Sequence, residues 1–317
     1  MSGPRGRSPS TVRSGKFIIT FLYEDDDIIA VDKPCGMPTI APEGSRTRSL
    51  YDVITDHIRR HNPKGRAAVV HRLDRDTSGV IVFAKNAAAK TALMSTWNES
   101  VDERLYIALV EGRLPSAEGI LDTWLSETDP FLVREVPAGT KGSLRAITRY
   151  RVVAEGDGLS LVELTLETGR RHQIRAQLAG AGCPVAGDER YGARRDPIGR
   201  LGLHAAVISL KRPSSSEPLR LECPPPAMFR AALKGSADQD RGRSPRAGGA
   251  PRDSRGPRGS SGTRGTRAPS GRPAPESAPK HASRAWPGGG PTARGKKPAG
   301  GSKKSSAGYS TRTKRKP

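Results

Sequence analysis

Hydrophobic and polar residues follow a strand-like pattern through most of the region between residues 17 and 235. Short apolar runs, several of them alternating with polar residues, end at glycine, proline or acidic turns, which is typical of β-strands. The pattern predicts strands at residues 17–23, 28–31, 67–70, 79–84, 105–110, 120–125, 145–154, 159–166 and 203–210. The runs at 67–70 and 79–84 are wholly apolar, so both faces of these strands are expected to be covered.

Apolar residues recur at helical spacing in fewer segments. One predicted helix begins at the capping residue Ser49 and ends near Asn62, and a second begins at Asn86 and ends near Asn98. A third, at residues 170–181, lies between two glycines. Because the helices are few and do not alternate with the strands, the predicted fold class is α+β, with a mixed or antiparallel sheet and flanking helices.

The two ends of the chain differ in composition from this region. Residues 236–317 contain 20 Lys and Arg, four Asp and Glu, and no Leu, Ile, Val, Met or Phe, which gives a net charge of +16. Such a segment cannot bury enough apolar surface to offset its ordering entropy, so a disordered basic tail is predicted. Residues 1–16 have the same character and are also predicted to be disordered. Residues 17–235 carry a net charge of only +2, against +22 for the whole chain, and have the length of one domain.

Three widely separated cysteines, Cys35, Cys183 and Cys223, favour a reducing compartment. Their odd number and their spacing support neither a disulfide framework nor a cysteine-rich zinc site. No apolar run approaches the ~20 residues that a membrane helix needs. A cytoplasmic protein is therefore expected, and the Arg- and Ser-rich start leaves an organellar transit peptide as the alternative.

The polar loop at residues 71–79 carries candidate chemistry. Asp74 lies between Arg72 and Arg75 after a predicted buried strand, and neighbouring positive charge keeps a carboxylate ionised. A held, ionised carboxylate can attack an electrophilic carbon. The alternative is that Asp74 or Asp76 only caps the turn, which is a common task of aspartate in such loops.

This loop and three further stretches together resemble the RluA-type RNA pseudouridine synthases. The matching stretches are IIAVDKPCGMPT (28–39), HRLDRDTSG (71–79), ERLYIALVEG (103–112), and a block that begins with TGRRHQIRAQL at residue 168 and ends with GDERYG at residue 192. They stand in the family's order, and the resemblance covers roughly residues 17–230. It implies the pseudouridine synthase fold, with a central cleft.

The resemblance also implies the reaction. Asp74 would be the nucleophile and would attack uridine either at uracil C6 or at ribose C1′. The glycosidic bond would break, and the uracil would turn and rejoin the sugar through C5, with no metal, redox carrier or other cofactor. His71, His172 and His204 are not expected to form a metal site with Asp74 and Asp76, because two of the three lie inside the matching motifs, where the resemblance implies structural roles.

Two further catalytic residues are implied by position. Tyr106 would stack on the target uracil and take the C5 proton. It lies on the strand face opposite its Leu and Ile neighbours, which favours the cleft over the simpler alternative of cross-strand packing. Arg175 would pair with the Asp74 carboxylate. Arg171 is four residues earlier on the predicted third helix and shares its face, so Arg171 is expected to meet RNA phosphate.

The other RNA contacts are expected from Arg72, His71, Arg75 and Lys33. Arg72 matches the family's arginine that enters the base stack where the target base has left. Extruding a stacked base costs a few kcal/mol, and a guanidinium group can stack in the vacancy. The alternative for Arg72 is a simple phosphate contact.

The sequence therefore predicts a monomeric RNA pseudouridine synthase that acts on structured ribosomal or transfer RNA, with loops around residues 40–50 and 126–145 choosing the uridine. The S4 RNA-binding module of many relatives is expected to be absent. The basic tail would then either add a salt-sensitive attraction to phosphates or, as the alternative, only aid solubility. Two alternatives stay open: a non-catalytic RNA-binding or chaperone protein driven by its tail, and a glycosidase or nucleosidase that uses Asp74 and Asp76.

Overall fold

A computed structural model describes residues 10–235 of the chain. The strands are β1 (Ser10–Ser14), β2 (Phe17–Glu24), β3 (Ile28–Lys33), β4 (Ala68–Val69), β5 (Ser78–Ala84), β6 (Val101–Glu111), β7 (Glu118–Ser126), β8 (Arg134–Val136), β9 (Ser143–Gly156), β10 (Leu159–Leu166), β11 (Leu203–Lys211) and β12 (Pro218–Glu222). The helices are α1 (Leu50–Arg59), α2 (Ala87–Ser95), α3 (Trp97–Ser100), α4 (Gln173–Gly180) and α5 (Ala227–Ala232), and a 3-10 turn spans Glu189–Tyr191. The predicted tail, 236–317, lies outside the described residues.

The strands form one sheet in which the order of neighbours is β1-β2-β3-β5-β11-β6-β10-β9-β7-β8, with β4 paired to β5 and β12 paired to β11. Within the described residues, β5 and β11 pair in parallel and the other strand pairs are antiparallel. The predicted α+β class with a mixed sheet and few helices is therefore confirmed.

One expectation about the N-terminus is wrong. Residues 1–16 were expected to be disordered on composition, but Ser10–Ser14 form the edge strand β1. The pairing of Ser14 with Phe17 leaves a two-residue turn, and Gly15 at its first position has a φ of 58°. Glycine adopts this left-handed conformation without steric cost, so the turn closes a tight hairpin. Residues 1–9 lie outside the described part of the chain.

The caps of the first two helices are as predicted, but the helices are shorter. Ser49 and Asp52 form a reciprocal capping box at the start of α1, and the Asn86 side chain accepts a hydrogen bond from the Ala89 amide at the start of α2. The helix α1 ends at Arg59, and α2 ends at Ser95 before the separate short helix α3. No helix among residues 10–235 is long and apolar enough to cross a membrane.

Apolar side chains from both faces of the sheet form the core. One buried cluster joins α1 to strands β3 and β5, with Ile54 and Phe83 fully buried. A second cluster joins α4 to strands β6 and β10, with Val162 and Leu178 fully buried. These two clusters fix the loop at 70–77 and the segment around 166–172, and both contribute to the lining of one large cavity.

Candidate active site

Asp74 lies in the loop at residues 70–77, between β4 and β5. The strand β5 is buried along its whole length and pairs with β11 at the point where the loop ends. Gly79 is required there, since a Cβ atom at this position would lie 2.1 Å from the carbonyl oxygen of Ala205. The close contact between the two strands therefore fixes one end of the loop that carries Asp74.

The buried side chain of Lys33 donates hydrogen bonds to the same loop and to the segment that follows Lys33. Its Nζ atom donates hydrogen bonds to the carbonyl oxygens of Met37 (2.7 Å), Arg75 (2.8 Å) and Pro34 (3.1 Å), and the residue is 0% exposed. Lys33 was expected to contact RNA, and the structure corrects that expectation because the ammonium group is buried under the loop. Burial lowers the pKa of Lys33 to about 8.

Further hydrogen bonds tie residues 33–39 to this loop. The Thr39 hydroxyl group donates to the Leu73 carbonyl oxygen (2.8 Å) and accepts from the Leu73 amide (3.3 Å), and the Gly36 amide donates to the Arg75 carbonyl oxygen (2.9 Å). Asp74 is therefore flanked on both sides by residues whose backbone is held. The segment 33–39 positions the loop and does not itself provide the reactive group.

The Asp74 carboxylate faces a cation from a distant part of the chain. Its Oδ2 atom accepts a hydrogen bond from Arg175 Nη1 at 3.1 Å, and His172 Nε2 lies 3.8 Å away. The neighbour Arg75 instead pairs with Asp76, at 3.0 and 3.1 Å. The Asp74 side chain is 28% exposed, so it is open to a substrate as well as held by Arg175.

Arg175 is itself fixed by a second carboxylate. Its Nε and Nη2 atoms donate to the two oxygens of Asp188, at 2.6 and 2.8 Å, and the Asp188 side chain is 2% exposed. Burial disfavours the Arg175 cation, but the hydrogen bonds and charges of Asp188 and Asp74 outweigh burial and raise the pKa of Arg175. Arg175 also lies over the Tyr191 ring, 4.8 Å from its centroid. The guanidinium group that faces Asp74 is therefore charged and immobilised before any substrate binds.

The predicted arrangement of Arg171 and Arg175 on one helix is wrong. The helix α4 begins only at Gln173, and His172 before it has a φ of 50°, in the left-handed region. The Gln173 side chain accepts a hydrogen bond from the Arg170 amide, and this bond stabilises a non-helical turn before Gln173. Arg171 therefore points to the loop after β7, where its guanidinium group donates to the carbonyl oxygens of Pro130 (2.6 Å), Glu127 (3.4 Å) and Asp129.

Asp74 opens into a cavity of about 910 Å³. Tyr106 lies in its wall, while its strand neighbours Ile107 and Leu109 pack on the opposite face around Phe229 of α5. The face predicted for Tyr106 from strand alternation is thus confirmed. Burial raises the pKa of Tyr106 to about 12, partly offset by the charge of Arg104, so the phenol is protonated at neutral pH.

The same cavity brings together most of the predicted RNA contacts. His71, Arg72, Arg75 and Arg171 contribute to its lining, and Arg72 and Arg75 are exposed. The His71 Nε2 atom accepts a hydrogen bond from the Val82 amide at 3.0 Å. Burial lowers the pKa of His71 to about 3, so His71 is neutral and contributes no positive charge to the site.

Sequence reasoning missed several residues of the site. Trp97 lines the cavity with its ring centroid 5.1 Å from that of His71, and Arg104 lines it with a guanidinium group that donates to the Glu167 carbonyl oxygen at 3.0 Å. Arg104 is two residues before Tyr106 and therefore on the same strand face, so the alternation along β6 could have indicated that Arg104 lines the cavity.

In the described residues, no group of three or more His, Cys, Asp or Glu side chains is placed to hold a metal ion.

Comparisons with known proteins show the family to which the chain is similar. Residues 27–180 match the family model described as RNA pseudouridylate synthase. The chain is 36% identical over 213 residues to the RNA pseudouridine synthase YhcT of Bacillus subtilis, which covers 66% of this chain and 69% of that protein. It is 34% identical over 220 residues to the ribosomal large subunit pseudouridine synthase D of Neisseria meningitidis. That match covers 66% of this chain and 58% of the relative.

Solved structures show the same fold. Human RNA pseudouridylate synthase domain containing 4 superimposes with a TM-score of 0.56 at 24% identity, covering 67% of this chain and 91% of that one. Human RNA pseudouridylate synthase domain containing 1 gives a TM-score of 0.54 at 25% identity, covering 71% and 93%. The fold thus places the protein in the class of pseudouridine synthases. Its sequence relatives identify the branch: the chain belongs to the RluA-type family of RNA pseudouridine synthases, which are isomerases that act on RNA.

Proposed function

We propose that this protein converts specific uridines of ribosomal or transfer RNA to pseudouridine, as a monomer in the cytoplasm, with Asp74 as the nucleophile. The observation that carries the proposal is the contact of 3.1 Å between Asp74 and the fixed guanidinium group of Arg175 at the cavity. A relative named for the large ribosomal subunit supports ribosomal RNA as a target. The glycosidase alternative with Asp74 and Asp76 is disfavoured, since Asp76 pairs with Arg75.

The proposed reaction conserves every atom of uridine. Asp74 forms a transient bond to uracil C6 or to ribose C1′, and the bond between C1′ and N1 breaks. The uracil turns inside the cavity, and C5 forms the new bond to C1′. The bond to Asp74 then breaks, at C1′ as C5 attaches or at C6 afterwards, which regenerates the carboxylate. C5 loses its proton and N1 gains one.

The target base must leave its stack to reach Asp74. Extruding a base costs a few kcal/mol, and an exposed guanidinium group at the rim can stack in the vacancy or contact the phosphate next to it. Arg72 is exposed and lies two residues from Asp74 in the wall of the cavity. We therefore assign Arg72 to the RNA side of the site.

The test of the proposed function is product analysis. The purified full-length chain is incubated with a transcript of large-subunit ribosomal RNA and with transfer RNA, and pseudouridine positions are mapped and compared with those in cells with and without the gene. Pseudouridine at discrete positions is expected, with no free uracil. Release of free uracil would show a glycosidase, and RNA binding without either product would show a non-catalytic binder.

Replacing Tyr106 with Phe is expected to lower the rate of pseudouridine formation by about 100-fold or more, because the ring can still stack but no hydroxyl group remains to accept the C5 proton. Since the phenol of the free protein has a pKa of about 12, the wild-type rate of this step is expected to rise with pH over the neutral range. Single-turnover kinetics at several pH values measure both effects. If the Phe variant keeps the wild-type rate, the hydroxyl group is not the base, and the role of Tyr106 is limited to stacking on the uracil.

Replacing Lys33 with Met is expected to lower kcat by about tenfold, because three carbonyl oxygens under the Asp74 loop lose a charged donor. Since Lys33 has a pKa of about 8, the wild-type ammonium group loses its proton as the pH rises through this value, and turnover is expected to fall there. The Met variant is expected to lack this transition. If Lys33 instead contacted RNA directly, the Met variant would bind RNA with a higher Kd and a weaker salt dependence. Measuring the Kd of both proteins at two salt concentrations therefore distinguishes the two roles.

A further inference from the structure

The loop between β7 and β8, residues 127–133, carries an exposed aromatic residue and contacts a residue of the cavity wall. Phe131 is 72% exposed. The carbonyl oxygen of its neighbour Pro130 accepts a hydrogen bond of 2.6 Å from Arg171, and Arg171 lines the cavity into which Asp74 opens. The loop that carries Phe131 is thus hydrogen-bonded to a residue of the cavity wall.

This loop is held in place by the active-site framework. The Asp129 carboxylate accepts a hydrogen bond of 2.7 Å from the Phe131 amide. Val133 is buried, and its amide donates to the Tyr191 hydroxyl oxygen at 3.0 Å. Tyr191 in turn lies 2.9 Å from Nδ1 of His172, whose other nitrogen faces Asp74. A chain of contacts through Tyr191 and His172 therefore connects the loop that carries Phe131 to Asp74.

Three arginines lie near the loop that carries Phe131. Arg190 donates to the Phe131 carbonyl oxygen at 3.1 Å, and Arg171 is bound to the same loop. The pKa of the Asp129 carboxyl group is lowered first by the hydrogen bond from the Phe131 amide, and also by the nearby charges of Arg134 and Arg171. The loop is thus flanked by basic side chains, while its own carboxylates are engaged: Asp129 accepts the amides of Phe131 and Leu132, and Glu127 accepts the amide of Arg171.

A flat ring with flanking cations matches the chemistry of a nucleotide. Single exposed apolar residues are common on protein surfaces and carry no meaning alone. Unpaired RNA bases, however, are recognised by stacking on aromatic side chains while arginines contact the adjacent phosphates. A protein partner would need a larger apolar patch, and the charges around Phe131 favour a polyanion.

We propose that Phe131 is a stacking platform for an unpaired base next to the target uridine, with Arg134 and Arg190 contacting the flanking phosphates. This inference rests on the proposed function, because it takes the cavity at Asp74 as the place where the uridine enters. The loop at 127–133 then selects RNA in which the neighbour of the target is unpaired. A fully paired helix offers no free base to the ring and binds through its phosphates alone.

The test compares Phe131→Leu with Phe131→Tyr in the full-length chain. The probes are a synthetic RNA hairpin with a uridine-rich loop and a fully paired RNA duplex of the same length, and Kd is measured by fluorescence anisotropy. The Leu variant is expected to bind the hairpin about 5- to 150-fold more weakly and the duplex within about twofold of wild type. The Tyr variant, which keeps an aromatic face, is expected to bind the hairpin within about threefold of wild type.

Ile18→Ala is the matched control. Ile18 is 53% exposed on β2, near the opposite end of the sheet from β8, and its variant is expected to bind both probes as wild type does. A Leu variant that binds the hairpin normally, or that loses affinity for both probes equally, would overturn the platform. So would a Tyr variant as weak as the Leu variant.

Turnover separates this inference from the proposed function. With a transcript of large-subunit ribosomal RNA, Phe131→Leu is expected to raise KM and to keep kcat within about twofold, since the ring touches no reacting atom. If the wild type is inactive but the binding pattern holds, the proposed function fails and the platform stands. If the wild type is active and the binding pattern is absent, the platform alone fails.

Discussion

Replacing Asp74 with Asn is expected to reduce pseudouridine formation by at least about 10⁴-fold, which corresponds to about 5 kcal/mol of activation free energy. An amide has nearly the size of the carboxylate but cannot act as the nucleophile. Because Arg175 keeps both hydrogen bonds to Asp188, the substitution leaves no buried charge unpaired, and the free energy of unfolding is expected to change by only about 1 kcal/mol. Single-turnover kinetics and urea unfolding measure the two effects.

Asp76→Asn is the matched control for this variant. Asp76 is two residues away in the same loop, but its carboxylate pairs with Arg75 at a partly exposed position. An exposed pair of this kind contributes about 0–1 kcal/mol, so turnover and stability are expected to remain close to wild type. If Asp74→Asn retained turnover, or if Asp76→Asn lost it equally, the assignment of Asp74 as the nucleophile would be wrong.

Replacing Arg175 with Met is expected to have the second largest effect. The variant leaves the buried Asp188 carboxylate without a partner, which costs about 3–5 kcal/mol of stability. It also removes the cation from the nucleophile, and turnover is expected to fall by about 10²- to 10³-fold. Urea unfolding and single-turnover rates under folded conditions report the two losses separately.

A double variant separates the catalytic role of Arg175 from its structural one. Arg175→Met combined with Asp188→Leu removes both members of the buried pair, and replacing such a pair by apolar residues is often neutral for stability. The double variant is therefore expected to regain most of the stability but not the turnover. Recovery of turnover together with stability would mean that Arg175 acts only by supporting the fold.

The parts of the site that depend on local pattern could be predicted from the sequence. The alternation in β6 placed Tyr106 in the cavity wall and its Ile and Leu neighbours in the core. The apolar run of β5 indicated a strand covered on both faces, and its burial agrees. Asp74 could be singled out because it lies in a loop between strands, in a motif whose sequence resembles that of the RluA-type family.

The errors have a common physical origin in contacts made by distant groups. The expected RNA contact of Lys33 is wrong because nothing local shows that carbonyl oxygens from residues up to 42 positions away converge on its ammonium group. The start of α4 was misplaced because the Gln173 side chain, rather than a glycine, decides where the helix begins. Asp188 was missed because its role depends on Arg175, 13 residues earlier.

The separation of 101 residues between Asp74 and Arg175 has a consequence for biosynthesis. On the ribosome, the proposed nucleophile Asp74 emerges before the guanidinium group of Arg175 that faces it, and the parallel partner of β5 emerges later still. A nascent chain therefore carries the proposed nucleophile through 101 of its 317 residues of synthesis before the cation that faces it is made. Products of premature termination before α4 are therefore expected to lack turnover, so that only chains that extend past this helix can alter the transcripts that surround them.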